Sequence, residues 1–148
     1  MFKYALPLLC SLLFSTSVSA QTYNDALTFS GNGMLLQKFR LKIIAENVAN
    51  VSTHMTDTGE PYRKKMVVVV PDEYGARAAG VVESQAPFGR ILDGTHIYSN
   101  EEGYLGLPNF ELNDEIVNLS YTNLLFEANT TVFKSARQMF QTSLELLR

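Results

Sequence analysis

Hydrophobic positions recur with helical spacing in the first half of the chain. They predict a helix from about Leu27 to Val51, because apolar residues three or four positions apart fall on one side of a helix. The positions on that side are Met34, Leu41, Ile44, Val48 and Val51. A loop with Gly59 follows and separates this helix from the middle of the chain.

A longer apolar repeat marks the C-terminal part of the chain. The predicted helix begins near Asn113 as its N-cap, continues with the acidic residues Asp114 and Glu115 in its first turn, and ends near Leu146. Every seventh position is large and apolar: Leu112, Leu119, Phe126, Phe133, Phe140 and Leu147. A second stripe with the same interval lies beside it: Leu125, Val132, Met139 and Leu146. Because a heptad seam needs a partner helix along its length, the two stripes indicate more than one neighbouring helix.

The middle of the chain has the alternation and turn residues of β-structure. A strand is predicted from Tyr62 to Val70, a turn from Pro71 to Gly75 and a return strand from Gly80 to Ser84. Two further turns are indicated at residues 93–94 and 100–103.

These elements predict an α+β fold with long N- and C-terminal helices that pair in a coiled-coil-like bundle and a small β-rich middle segment. The expected segments are a signal peptide (1–20), an N-terminal helix (21–53), the β-rich middle (54–110) and a C-terminal helix (111–148). The middle segment supplies too little apolar surface to cover both helices. The pattern therefore favours a protein that assembles over one that catalyses.

The first twenty residues have the features of a signal peptide. Lys3 precedes an apolar run from Tyr4 to Phe14, and the small residues 18–20 form a cleavage site that would leave Gln21 as the first residue. The alternative is an uncleaved interfacial anchor. Cys10 is the only cysteine in the sequence, so no disulfide is expected.

Charge and candidate chemistry narrow the function further. The formal net charge of −3 argues against a nucleic-acid partner, which would need a basic face. Two local basic clusters are interpreted as solvated surface: Lys38, Arg40 and Lys42, and Arg63, Lys64 and Lys65.

No catalytic constellation is evident in the sequence. Glycoside hydrolysis needs two carboxylates about 5–9.5 Å apart across one bond. The candidates, 101–102 and 114–115, are sequence neighbours without an apolar pocket, and His54 and His96 lack metal-ligand spacing. The sequence therefore predicts no enzyme, no cofactor and no metal site. A periplasmic binding protein or a cell-wall-associated protein stays an alternative, with a wall hydrolase the least favoured.

An ordered set of motifs carries a family resemblance. The N-terminal motif consists of Gly33-Met34, Gln37, Arg40, Ala45-Glu46-Asn47-Val48-Ala49-Asn50 and Thr53. The middle and the last helix add Gly59-Glu60-Pro61-Tyr62-Arg63-Lys64, Ala86-Pro87-Phe88, Gly103-Tyr104, Pro108-Asn109, Glu115-Ile116-Val117-Asn118 and Phe126-Glu127-Ala128-Asn129. Over residues 21–148, the chain resembles the bacterial flagellar basal-body rod proteins, most closely the proximal-rod subunit.

The resemblance implies a structural subunit that polymerises through its terminal helices into the tubular drive shaft crossing the periplasm. Its partners would be copies of itself, other rod subunits and basal-body components, without nucleic acid, small-molecule substrate or cofactor. The candidate subunit-interface residues are Gln37, Arg40, Leu41, Ile44, Asn47, Val48, Asn50, Leu119, Phe126, Asn129, Phe133, Phe140 and Leu147. Asn47 and Asn50 are expected to donate hydrogen bonds across an interface. Helix capping and solvent exposure are their alternative roles.

Two features depart from the family pattern. Rod subunits normally leave the cell through the flagellum-specific type III apparatus, without a cleaved signal peptide. The extra residues 1–20 instead predict export to the periplasm by the general secretory route, with an unusual type III signal as the alternative. The segment from Asp93 to Glu102 is also shorter than in the family and lacks its proline-containing loop, which affects the expected details of intersubunit contact.

Overall fold

The computed structural model describes the backbone of residues 5–146 and the side chains of residues 24–146. The elements, in chain order, are α1 (Ala5–Ala49), β1 (Lys65–Asp72), β2 (Gly75–Glu83), β3 (Gly89–Leu92), β4 (Tyr104–Leu107) and α2 (Leu112–Glu145). Two long helices and an antiparallel β-rich middle confirm the predicted α+β fold class.

The first helix is longer than the periodicity predicted. It contains 45 residues, about 68 Å at 1.5 Å per residue, and begins at Ala5 rather than near Leu27. Pro7 is compatible with this start, because the first four N–H groups of a helix have no partner within it. The helix ends at Ala49, two residues before the predicted end at Val51.

The second helix has 34 residues, about 51 Å, and its start differs from the prediction. The N-cap is Glu111, without a side-chain capping bond, so the predicted cap at Asn113 is wrong. The helix starts earlier because the N–H of Glu115 donates to the carbonyl of Glu111 at 3.4 Å. The acidic first turn, with Asp114 and Glu115, is confirmed. Leu147 lies outside the described residues.

Strands β1 and β2 form a hairpin that lies along α1. Their register runs from Lys65 opposite Glu83 to Asp72 opposite Gly75, with an irregularity after Val68. The turn is therefore shorter, and the return strand starts earlier, than predicted. Gly75 adopts φ 110°, a conformation that favours glycine.

The tip of the hairpin rests on the middle of α1. Asn32 Nδ2 donates to the carbonyl of Tyr74 at 3.2 Å, and the rings of Phe29 and Tyr74 meet edge to face at 6.1 Å. These contacts fix the direction of the hairpin along the helix.

Strands β3 and β4 form a separate two-stranded antiparallel sheet. It is attached to the loop that follows α1, where His54 Nδ1 lies 3.1 Å from the carbonyl oxygen of Gly106. A side chain at Gly106 would not fit, because its Cβ would lie 2.7 Å from Pro61 Cγ. The second sheet is thus held beyond the C-terminal end of α1.

The core of the described chain is small. The buried hydrophobic residues are Leu36, Ile43, Tyr62, Leu105 and Ala136. Many other large apolar side chains are exposed, and the largest group of them lies on α2. Within the described residues, no helix combines the length and apolar character needed to cross a membrane.

Candidate functional site

Asn47 is the centre of a buried polar junction between α1, β1 and α2. Its side chain is 1 % exposed. The Nδ2 group donates to the carbonyl of Lys65 and to Glu115 Oε2, both at 2.9 Å. The Oδ1 atom accepts from the N–H of Lys65 at 3.0 Å and from the Tyr62 hydroxyl at 3.2 Å. Because an amide side chain has two donors and two acceptor positions, Asn47 is fully satisfied within the chain.

Glu115 supplies the negative charge of this junction and is also 1 % exposed. Its Oε1 atom lies 2.6 Å from Lys64 Nζ and accepts from Asn118 Nδ2 at 3.3 Å. The Lys64 side chain is 24 % exposed, so the lysine of this ion pair contacts solvent whereas the carboxylate does not. Removing one member of such a pair would leave a charge without compensation.

Residues 63–65, interpreted as a solvated basic cluster, are 24–32 % exposed and each also contacts another side chain of the chain. Lys64 reaches the buried carboxylate described above, while Lys65 Nζ lies 3.7 Å from Glu46 Oε2. The Arg63 guanidinium lies over the ring of Phe88 at 4.1 Å. Each of these half-buried cations thus has a partner within the chain.

Tyr62 is the aromatic member of the junction. Burial raises the pKa of its phenol above the ordinary value, and the nearby carboxylates of Glu46, Glu83 and Glu115 raise it further. A raised pKa in the folded state means that the unfolded chain loses the proton first. The stability that depends on this group is therefore present below the unfolded pKa of about 10 and is lost as the pH rises above it.

Replacing Tyr62 with phenylalanine should separate the hydrogen bond from the ionisation. At neutral pH the variant should lose about 1 kcal/mol, because Asn47 Oδ1 loses a donor. Above about pH 10, its stability should fall less steeply than that of the unchanged chain. Urea unfolding at both pH values measures the two effects. Tyr121→Phe, at a tyrosine that is 59 % exposed, is the control. Equal pH slopes for Tyr62→Phe and the unchanged chain would contradict this assignment.

The two helices pack along a seam with alternating three- and four-residue spacing on α2. The buried or half-buried residues of this seam are Glu115, Leu119, Thr122, Phe126, Asn129, Phe133 and Ala136. On α1, a Cβ at Gly33 would come within 2.6 Å of Asn129 Oδ1, so a side chain at this position would displace the Asn129 amide from the seam. Next to it, Thr130 Oγ1 donates to Met34 Sδ at 3.3 Å. Part of the heptad stripe is thus covered by the chain's own first helix.

The structure places the candidate subunit-interface residues at different depths. Gln37 and Asn47 are buried, and Phe140 is 44 % exposed. The half-buried ones are Arg40, Leu41, Ile44, Val48, Asn50, Leu119, Phe126, Asn129 and Phe133. Leu147 lies outside the described residues.

The two asparagines differ from the expectation that both donate hydrogen bonds across an interface. The donors and acceptors of the Asn47 side chain are all used in hydrogen bonds within the chain. Asn50 follows the last residue of α1, and its Nδ2 donates to the carbonyl of Glu46 at 2.8 Å while its Oδ1 accepts from Thr53 Oγ1 at 3.2 Å. The structure therefore gives Asn50 its alternative role, capping the C-terminal end of the helix.

Gln37 contains a buried polar atom without a partner. The side chain is 7 % exposed, and Oε1 has no hydrogen-bond donor among the residues that the structure describes. A buried acceptor left in this state costs about 1–3 kcal/mol. A donor brought by another molecule would remove that cost.

The opposite side of α2 presents an apolar surface that the chain does not cover. We call it the outer stripe. Its members, 51–83 % exposed, are Val117, Tyr121, Leu124, Val132, Met139 and Leu146. Three of the four residues of the predicted second stripe belong to it. A contiguous apolar surface of this kind is typical of an interaction site.

The acidic and histidine residues do not form a catalytic arrangement in the described part of the chain. Among the side chains of residues 24–146, no three His, Cys, Asp or Glu residues come together in a way that could hold a metal ion. The rings of His54 and His96 are in edge-to-face contact at 5.2 Å. Of the candidate carboxylates, Glu101 and Glu102 are exposed in the β3–β4 connection, and Glu115 is engaged in the junction.

Sequence reasoning missed Asn109, a residue that holds the middle segment together. Its Oδ1 accepts from the N–H of Lys64 at 2.8 Å, and its Nδ2 donates to the carbonyls of Ser84 and Ala86 at 3.2 and 3.1 Å. No local spacing indicated this role, because the bonded segments are 23–45 residues away along the chain.

Comparisons with known proteins agree on one group of relatives. The chain is 30 % identical to the flagellar basal-body rod protein FlgC of Salmonella typhimurium, over 79 % of this chain and 92 % of that protein. It is 29 % identical to the protein of the same name from Borreliella burgdorferi, over 84 % and 97 % of the two chains. The Bacillus subtilis FlgC is 27 % identical, over 82 % and 95 %. No profile of a known protein family matches the chain.

Proposed function

Because the chain belongs to the FlgC family of flagellar basal-body rod proteins, we propose that it is a structural rod subunit that polymerises through its terminal helices. Its partners would be further copies of itself, other rod subunits and neighbouring basal-body components. The proposed assembly is the tubular shaft that crosses the periplasm.

The outer stripe carries this proposal. It extends from Val117 to Leu146, about 44 Å along α2 at 1.5 Å per residue, and the chain's own elements leave it uncovered. A helix with an apolar face of this length needs a neighbour to exclude water. When the neighbour is another copy that contacts a different surface, the contact repeats from copy to copy, and it produces a helical filament if the rotation between copies does not close a ring.

The junction at Asn47 and the half-covered seam add a second part to the proposal. A single chain would enter the assembly with α1 and α2 already paired near the junction. Neighbouring subunits would then cover the outer stripe.

For export, we propose cleavage after Ala20 by a signal peptidase of the general secretory route. The supporting observation is the sequence pattern of Lys3, the apolar run and the small residues 18–20. The match also leaves a larger share of this chain uncovered than of the relatives. Cleavage would remove residues 5–20 from the first helix.

Mass spectrometry of the protein from cells should find Gln21, or its cyclised form, as the N-terminal residue. Ala20→Arg should block cleavage and leave a longer chain, because the peptidase needs a small residue before the cut. Ala26→Arg, outside the signal, is the matched control. An intact Met1 in assembled basal bodies would contradict the proposal and favour a type III signal.

The rod function is tested by deleting the gene and restoring it with a tagged copy. Deletion should abolish motility, and the tagged protein should co-purify with basal bodies that contain a complete rod. Normal rods in the deletion strain, with the protein recovered in the soluble periplasm, would instead support the alternative of a periplasmic binding or cell-wall-associated protein.

A further inference from the structure

A groove lies open between α1 and β2. Its volume is about 490 Å³. Helix α1 contributes Leu35, Leu36 and Phe39 to its lining, and β2 contributes residues 76–80. Four of these five β2 residues are Ala or Gly, whose small side chains leave the groove open on this side. Leu35 on the opposite side is 67 % exposed. The α1–β2 groove therefore has room for a large apolar side chain from outside.

The rim of the groove is positively charged. Lys38 and Lys42 follow two lining residues of α1 by three positions, which places them on the same side of the helix. Arg77 adds a third cation from β2. No ion pair or hydrogen bond joins these three side chains to another residue in the described part of the chain. One carboxylate, that of Asp72, lies in the lining at the hairpin end.

The connection between β3 and β4 is complementary to the groove, because it has an exposed apolar side chain and negative charge. We call residues 93–103 the β3–β4 loop. Ile97, at its outermost part, is 85 % exposed, and Leu92 beside the loop is 70 % exposed. The loop contains Asp93, Glu101 and Glu102 and no Lys or Arg. It thus presents an exposed apolar side chain on a loop whose carboxylates are not balanced by Lys or Arg.

Hydrogen bonds within the loop hold it in shape. The N–H of Asn100 donates to the carbonyl of Tyr104 at 2.9 Å, and the carbonyl of Asn100 accepts from the N–H of Gly103. The Asn100 side chain accepts from the N–H of Tyr104 at 2.8 Å. The hydroxyl and N–H of Thr95 bond to Asp93 and hold the pKa of that carboxyl below its usual range. A loop fixed in this way loses little conformational entropy on docking.

The loop and the groove of one chain are far apart. The β3–β4 sheet is attached beyond the end of α1, through His54 and Gly106, whereas the groove ends at Phe39. The ten residues from Phe39 to Ala49 alone span about 15 Å of helix. A contact between the two surfaces must therefore join two copies. Because the surfaces differ, the contact is of the head-to-tail kind that can repeat from copy to copy along a helical assembly.

We propose that the β3–β4 loop of one copy docks in the α1–β2 groove of the next copy. Ile97 enters the groove, and Glu101 and Glu102 lie beside Lys38 and Lys42. The contact rests on the rod function proposed above and adds to it an axial interface outside the helix faces. Charge complementarity selects a second copy of this chain as the occupant, because both charged surfaces belong to the same sequence.

Cysteine crosslinking in isolated basal bodies tests the contact. Cys10 is the only native cysteine, so Cys10→Ser gives a clean background. With Ile97→Cys and Ala79→Cys in the same chain, mild oxidation should produce a ladder of covalent oligomers. Ile97→Cys alone should give no ladder. A control pair moves the loop cysteine to an exposed position on α2. This pair, Thr131→Cys with Ala79→Cys, should also give no ladder.

Charge reversal tests the recognition. Glu101→Lys with Glu102→Lys should lower the crosslink yield about fivefold or more, because two attractive pairs become repulsive. Adding Lys38→Glu and Lys42→Glu should restore the yield. Adding Lys134→Glu and Arg137→Glu on α2 instead should not restore it. If Glu101→Lys with Glu102→Lys keeps the protein out of basal bodies, the amount of protein incorporated is measured instead of the crosslink yield.

The outcomes separate this contact from the rod function itself. Basal bodies that contain the protein but give no crosslink, or a crosslink that charge reversal leaves unchanged, overturn the docking and leave rod membership intact. Absence of the cysteine-free protein from basal bodies that are otherwise complete overturns the rod function. The ladder together with its specific restoration supports both.

Discussion

Replacing Glu115 with alanine should lower the free energy of unfolding of the isolated protein by about 3 kcal/mol or more. The carboxylate is 1 % exposed and lies 2.6 Å from Lys64 Nζ. Its loss leaves the ammonium without a counter-charge and removes the acceptor of one Asn47 N–H. Thermal unfolding should move down by about 6 °C or more, which calorimetry can measure.

Two further variants show whether the effect comes from the ion pair. Glu111→Ala removes an exposed carboxylate at the start of the same helix and should change stability by less than about 0.5 kcal/mol. In a double-mutant cycle, Lys64→Met combined with Glu115→Ala should cost less than the sum of the two single changes. Additive effects, or a stable Glu115→Ala protein, would mean that the junction does not hold the three elements together.

The two helices were predictable because their signal is local. The apolar spacing within each helix is set by 3.6 residues per turn, so it can be seen without knowing what the helix contacts. The start of α2 was predicted less well, since Asn113 is a good N-cap only if the helix begins there. A backbone hydrogen bond between Glu111 and Glu115 extends the helix instead.

The junction was not predictable, because its members are far apart in the sequence. Asn47 and Glu115 are separated by 68 residues, and the bond between them exists only after α1 and α2 have come together. In the sequence alone, Lys64 is one of three consecutive basic residues, and its ion pair with Glu115 forms only after the chain before β1 has reached α2. Tertiary contact thus decides the role of residues whose local pattern is typical of solvated surface.

The heptad pattern of α2 describes two surfaces, one used in folding and one left for other molecules. The stripe through Phe126 and Phe133 faces α1 within the chain, so part of it serves folding. The alternate seam positions are small or polar, such as Thr122 and Ala136, and let the helices approach closely. The surface left for other molecules is the outer stripe, which the sequence indicated only through the width of the apolar face.

Introducing a carboxylate into the outer stripe should prevent rod assembly while leaving the single chain folded. Met139 is 70 % exposed, so Met139→Glu should change the stability of the isolated protein by about 0.5 kcal/mol or less. In the proposed rod, the same side chain is covered by a neighbouring subunit. A carboxylate buried there without a partner is strongly unfavourable, and the cost recurs in every subunit. Motility and basal-body rods should therefore be lost.

Phe133→Glu provides the comparison that separates folding from assembly. Phe133 is half-buried against the first helix, so this change should destabilise the isolated chain as well as abolish rods. Gln138→Glu, on an exposed polar position one residue before Met139, adds the same charge and should leave motility intact. The measurements are urea unfolding of each purified variant, its amount in the periplasm and the rods in isolated basal bodies. Normal rods with Met139→Glu would show that the outer stripe stays exposed to water in the assembly, and the interface would then have to lie elsewhere on the subunit.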